Sequence, residues 1–265
     1  MSVLASKMTL SRHEYVNTFL KLYQYTTTRM SKIAKRKYRW LGEPIVRVMN
    51  DTYKLIMQTN NDFFEYGIKM ISEKERTELL INSLLSLQKP LLALWNIDNY
   101  KTRTMVYWIE FINKEIYYIS LLGGYSKKEV ESMFILDYET IKNVEFINTM
   151  SKLHKMIYSK TISLNESIRR TNGTLLMDLS DEAFYRVCRA NLFIPKNKKM
   201  YDERRKDIST ALECLRQMQQ PMASLFILMN YSENVMKEMA YLLNREMKLL
   251  KGVMKSDAIR FSSLT

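Results

Sequence analysis

Glycine, proline, cysteine and histidine are all scarce: 265 residues hold 6 Gly, 4 Pro, 2 Cys and 2 His. So few chain breakers leave too little turn chemistry for the hairpins of an all-β domain and favour long helices. Cys188 and Cys214 cannot build a disulfide framework, which fits a reducing, cytoplasmic setting. His13 and His154 form no HExxH pair, and the chain has no CxxC, GxSxG or Gly-rich phosphate loop. The Glu-x-x-His pairs of di-iron bundles are missing too. The residues thus offer no catalytic constellation, no metal site and no cofactor site, and each histidine and cysteine is expected to serve packing or the surface. Long apolar runs are also lacking. The best, Gln217 to Ser232, covers about 16 residues and includes three Gln and a Pro, short of a membrane span. Nor does the N-terminus carry an apolar stretch of signal-peptide length.

What is abundant is positive charge and apolar surface. Lys and Arg number 41 against 28 Asp and Glu, a formal net charge of +13, and 46% of residues are hydrophobic. That apolar share suffices for a packed core. The excess charge favours an acidic partner, nucleic acid before an anionic surface.

The chain also repeats itself. Shifted by 131 positions, it matches without a gap, with about 18 identities over roughly 114 residues. Glu14, Asn17, Thr18, Lys21 and Leu22 recur as Glu145, Asn148, Thr149, Lys152 and Leu153. Gly42, Pro90 and Asn99-Tyr100 recur as Gly173, Pro221 and Asn230-Tyr231, while Asn113 and Glu115 recur as Asn244 and Glu246. Each copy reads as four helices. The first carries Tyr15, Phe19, Leu22, Met30 and Ile33 at near-3.6 spacing. The second starts near Pro44, after a turn around Gly42 or Gly173. The third opens on a capping box, Ser72 to Glu75, and is expected to bend at Pro90 or Pro221. The fourth follows Asn99-Tyr100, with Ser232 as the N-cap of its second copy. Longer loops are expected at about 60–72 and 191–202. The fold class is therefore all-α, two tandem up-and-down four-helix bundles related by internal duplication. The expected domains are 1–122 and 140–265, joined by a connector at 123–139 that begins with a capping box, Ser126 to Glu129, and holds a short helix.

The basic residues are the most informative feature. Arg29, Lys32, Lys35, Arg36, Lys37 and Arg39 place six cations in eleven residues, and no acid lies between Glu14 and Glu43. If helix 1 continues through them, Arg29, Lys32 and Arg36 share one face, with Tyr38 and Trp40 interleaved as stacking surfaces. Cations at a helix C-terminus also complement its dipole, but that accounts for one or two of them, not six. In the second copy the charge moves to Arg169-Arg170, to Lys196, Lys198 and Lys199 in the loop before helix 3, and to Arg204, Arg205 and Lys206. These clusters are the candidate nucleic-acid-binding residues, with a solvated face as the competing reading.

The run Ala183-Phe-Tyr-Arg-Val-Cys-Arg-Ala-Asn191, a short Lys-rich stretch and Ala211-Leu-Glu-Cys-Leu-Arg216 together resemble the small bacterial four-helix-bundle proteins. That family includes the accessory variability determinants of diversity-generating retroelements and the products of intervening sequences in large-subunit ribosomal RNA genes. Its members have about the length of one copy here, so this chain would be a tandem, double-length member. The resemblance implies a non-catalytic basic accessory protein that binds a reverse transcriptase and structured RNA, and it implies homo-oligomeric rings. The alternative is a helical protein-interaction scaffold, with the kinked third helix and Met/Tyr-rich faces docking partner helices.

Overall fold

The computed structural model describes residues 14–65, 72–98, 101–126, 129, 144–192, 194–229 and 232–264. They are helical, with no strand among the described residues. The chain forms two compact units, one of residues 1–94 and 100–137 and another of 95–99 and 138–265. The division assigns 95–99, expected in the first domain, to the second unit. The helix expected in the connector lies outside the described residues. Its capping box is present: the Ser126 amide donates to Glu129 Oε2 at 2.9 Å, and the Glu129 amide donates back to Ser126 Oγ at 3.4 Å.

In the first unit α1 spans Glu14–Met30 and buries Tyr15, Val16, Phe19, Leu22, Thr26 and Met30 along one stripe. A turn at 31–34 follows, then one helical turn, Lys35–Lys37, a π-helical segment, Tyr38–Gly42, and α2, Glu43–Glu65. The third helix of the bundle is broken into α3, Glu73–Leu85, and α4, Gln88–Asp98. The Ser72 capping box starts α3. At the break the Leu87 amide reaches back only to Leu84 O, at 3.1 Å. Pro90 then falls in the first turn of α4, where a missing N–H leaves no bond unmade. The last helix, α5, is Thr102–Leu122. Helix α1 packs on α2 and α5, and α3 packs on the same two, so the helices close into a ring around the core.

The second unit has the same order: α6 (Glu145–Ile162), a helical turn (Glu166–Ile168), a π segment (Arg169–Gly173), α7 (Thr174–Leu192), α8 (Lys198–Gln217), α9 (Gln219–Met229) and α10 (Glu233–Arg260). Here α6 and α8 each pack on α7 and α10. The starts of α1, the helical turn, the π segment, α2, α4 and α5 each lie 131 residues before their counterparts. Ser232 does precede α10, yet its side chain makes no capping bond.

Two sequence expectations are corrected. The turn between the first two helices is not at Gly42 or Gly173, which sit inside the π segments; the chain turns at 31–34 and 163–165. At Gly173 the lack of a side chain is needed for packing, since a Cβ there would meet Thr161 Cγ2 at 2.8 Å. The loop expected at 191–202 is shorter, because α7 runs to Leu192 and α8 already starts at Lys198.

Candidate nucleic-acid interface

The six cations of the first unit do not share a helical face. Helix α1 stops at Met30 and the next helical run starts at Lys35, so the chain changes direction in their midst. They line a turn instead. Ile33, 7% exposed, anchors this turn to the core, and the Lys32 amide closes on Arg29 O at 3.1 Å. Lys32 and Lys35 are exposed and make no ion pair among the described residues. Arg29 lies over the Tyr25 ring at 4.9 Å, and Arg39 over Trp40 at 5.5 Å. Lys37 is half-buried, and the side chain of Arg36 lies outside the described residues.

This placement reverses the dipole argument. Lys35, Arg36 and Lys37 form the first turn of a helical run with no acid in it and no side-chain cap on Ala34. A cation there opposes the dipole that it would complement at a C-terminus, by about 0.3–1 kcal/mol each. The helix dipole thus does not account for Lys35, Arg36 and Lys37, although Arg29, in the last turn of α1, still complements its own helix.

The cations of the second unit divide into two kinds. Lys196 precedes α8, and Lys198 and Lys199 occupy its first turn, which again contains no acid; all three are exposed. The Asn197 side-chain oxygen Oδ1 caps this helix by accepting from the Met200 amide at 2.9 Å. Arg205 donates to the Tyr201 hydroxyl at 3.1 Å and stays exposed, as does Lys206. Arg204 is largely withdrawn from solvent, against the sequence expectation. Its guanidinium holds Asp257 at 2.6 and 3.4 Å and also donates to the Ala190 carbonyl, with 14% of the side chain exposed. Arg170 is exposed but paired with Glu166 at 2.6 Å, and Arg169 is half-buried in the π segment.

Sequence reasoning missed three polar sites. Asp207, with 3% of its side chain exposed, bridges Arg186 at 2.8 Å and Arg189 at 2.9 Å. Both arginines lie in the run that carries the family resemblance, but nothing local tied them to Asp207. His154, expected at a surface or boundary, is completely buried and stacks on Phe184 at 4.9 Å. Its Nε2 meets Asp181 Oδ1 at 2.7 Å, and the Tyr158 hydroxyl donates to Asp181 Oδ2 at 2.8 Å. Within the same unit Ser151 Oγ donates to Asn96 Oδ1 at 2.6 Å, which turns the Asn96 amine, 2.8 Å away, toward His154 Nδ1. Nδ1 then accepts and Nε2–H donates to Asp181, an arrangement that uses both ring nitrogens and leaves neither for chemistry. The third site is a buried carboxyl in each unit, Glu115 and Glu246, both 0% exposed. Burial raises both, Glu246 to about 9, with Glu145 adding to it. Cys188 is also fully buried, and burial pushes its thiol up.

Among the described residues no group of three or more His, Cys, Asp or Glu is placed to hold a metal ion. No described helix is long and apolar enough to cross a membrane. No family model, curated protein or solved structure matches the chain.

Proposed function

We propose that this chain is a non-catalytic basic helical protein, arisen by internal duplication, that binds nucleic acid, RNA foremost, through the Lys32–Arg39 turn and the start of α8. One observation carries this reading. In each unit exposed lysines, Lys35 in the first and Lys198 and Lys199 in the second, stand in a first helical turn that contains no acid, where they oppose the dipole. Phosphates would offset that opposition to the dipole. A reverse transcriptase as the protein partner rests on the family resemblance alone.

The test is a mobility-shift titration of structured RNA over a range of salt. Affinity is expected to fall steeply with salt, and Lys32→Glu/Lys35→Glu to lower both the affinity and the salt slope. Absence of any complex at low salt sinks the reading.

The scaffold reading has one observation of its own. Beside the break between α8 and α9 lies an open groove of about 320 Å³, lined by Leu175, Leu179, Gln217, Gln220 and Pro221 among others. A protein partner retained after nuclease treatment and after Lys32→Glu/Lys35→Glu would favour it.

A further inference from the structure

The first unit carries a second feature that the basic turn does not explain. Along α5, Arg103, Tyr107, Phe111, Lys114 and Tyr118 recur at steps of four, four, three and four residues, which puts them on one face. On α1, which packs against α5, Lys21, Tyr25 and Arg29 recur at steps of four. The two rows meet in a cluster of rings. Tyr25 lies 5.3 Å from Tyr107 and 6.2 Å from Phe111, and Tyr107 and Phe111 are 5.8 Å apart. Beneath them Trp108, wholly buried, donates its indole N–H to Thr26 Oγ1 at 3.1 Å and meets Tyr25 edge-on at 5.7 Å.

Cations alternate with these rings. Arg29 sits over Tyr25, and Lys114 lies 5.7 Å from the centre of Tyr118. Arg103 and Lys114 are exposed and make no ion pair among the described residues. Arg103 stands in the first turn of α5, against its dipole and with no acid in that turn. Acids reach only the margins of the strip: Glu110 borders it on α5, and Glu14 accepts from the Tyr118 hydroxyl at the far end. Tyr107 is left 52% exposed. At the positions 131 residues on, the second unit has Met156, Glu238, Met239 and Leu242 for Tyr25, Tyr107, Trp108 and Phe111. The rings are a property of the first unit.

We propose that the α1/α5 face of the first unit is a stacking platform for the unpaired bases of single-stranded nucleic acid, with Arg103 and Arg29 holding the adjacent phosphates. This deepens the nucleic-acid reading and rests on it. Rings with an exposed π-face hold bases of any sequence, and interleaved cations follow the backbone. Duplex bases are already stacked on each other and gain nothing from Tyr107. Arg29, three residues before Lys32, joins the platform to the basic turn.

The experiment compares an unstructured, fluorescein-labelled single-stranded RNA with a blunt duplex of equal length, titrated by anisotropy against the full chain. Tyr107→Ala is expected to weaken single-strand binding about tenfold, Tyr107→Trp to retain it, and duplex affinity to stay unchanged. An exposed side chain makes these variants safe for the fold, and circular dichroism verifies it. If Tyr107→Ala changes neither affinity while Lys32→Glu/Lys35→Glu weakens both, the platform is refuted and the basic turn stands. Equal losses on both probes refute it as well. If Tyr107→Ala lowers the native mass without touching affinity, the face is a contact between copies and the proposal falls. When the unmodified chain binds neither probe at low salt, the nucleic-acid reading itself fails.

Discussion

Glu115 and Glu246 hold the same place in the two bundles. Each stands thirteen residues after the first residue of its helix, α5 or α10, each is 0% exposed, and neither oxygen of either carboxyl finds a hydrogen-bond partner among the described residues. A carboxylate in that setting would go uncompensated, so both groups are held as neutral acids well past the usual carboxylate range.

The pH dependence follows. For Glu246 the folded state keeps its proton up to about 9, whereas the unfolded chain releases it near the ordinary 4.5. The folded state therefore binds more protons, and stability falls as pH rises through that window. Glu246→Gln removes the ionisation, so its urea midpoint is expected to fall less than that of the unmodified chain from about pH 5 to pH 9. At the alkaline end the gain should be on the order of several kcal/mol. Parallel midpoints would show that the carboxyl is hydrated in the fold. The same comparison applies to Glu115→Gln.

Among the cations proposed for nucleic-acid contact, Arg204 is held in a structural role. Its guanidinium is bound to Asp257 and to the Ala190 carbonyl, with little of the side chain exposed. Arg204→Ala is expected to destabilise the chain by about 2–4 kcal/mol, since it leaves Asp257 and a carbonyl unpaired. The salt slope of RNA binding should not change. A lowered slope at full stability would instead place Arg204 among the phosphate contacts.

Much of the fold was legible because local chemistry and tertiary structure agree. The Ser72 box starts α3, Pro90 and Pro221 mark a broken helix, and apolar spacing identifies the buried faces. The turn at 31–34 was illegible for a physical reason. It contains neither Gly nor Pro, and Met30 and Ile33 are both buried across it, so the apolar period runs on unbroken. Its counterpart did carry a signal: Asn165 caps the next helical turn by accepting from the Ile168 amide at 3.1 Å. The candidate interface inherited that error, because cations assigned to one helix face lie around a turn. The polar sites were hidden for another reason. His154 and Asp181 are 27 residues apart, and no local pattern announces a pair made by packing two helices.

Asp207 marks a difference between the two units. It bridges two arginines, with 24% and 32% of their side chains exposed, so removal leaves two partly hydrated charges facing a buried gap. Asp207→Ala is expected to cost about 2–3 kcal/mol, below the usual range for fully buried pairs. The first unit has Leu55, Gln58 and Arg76 at the positions of Arg186, Arg189 and Asp207. Adding Arg186→Leu and Arg189→Gln to Asp207→Ala should therefore recover most of the loss in a denaturation series. No recovery would mean that the cluster shapes α7 and α8 rather than merely neutralising charge.

Two glycines of the second unit should respond in opposite ways to the same change. Gly252 lies inside α10, and a Cβ there would meet nothing within 4 Å. Glycine in a helix interior is entropically unfavourable, so Gly252→Ala is expected to raise stability by about 0.5–1 kcal/mol. Gly173 ends the π segment, where a Cβ would come to 2.8 Å from Thr161 Cγ2 on a side chain that is itself buried. Relief requires α6 and the π segment to separate, because the β-branched Thr161 is stiff at χ1. Gly173→Ala should cost about 1–3 kcal/mol, and Gly173→Ala/Thr161→Ser, which deletes the opposing methyl, should regain part of it. Thermal or urea midpoints for the four chains decide the matter. A neutral Gly173→Ala would show that the π segment tolerates a shift, and that close approach does not explain glycine at this position.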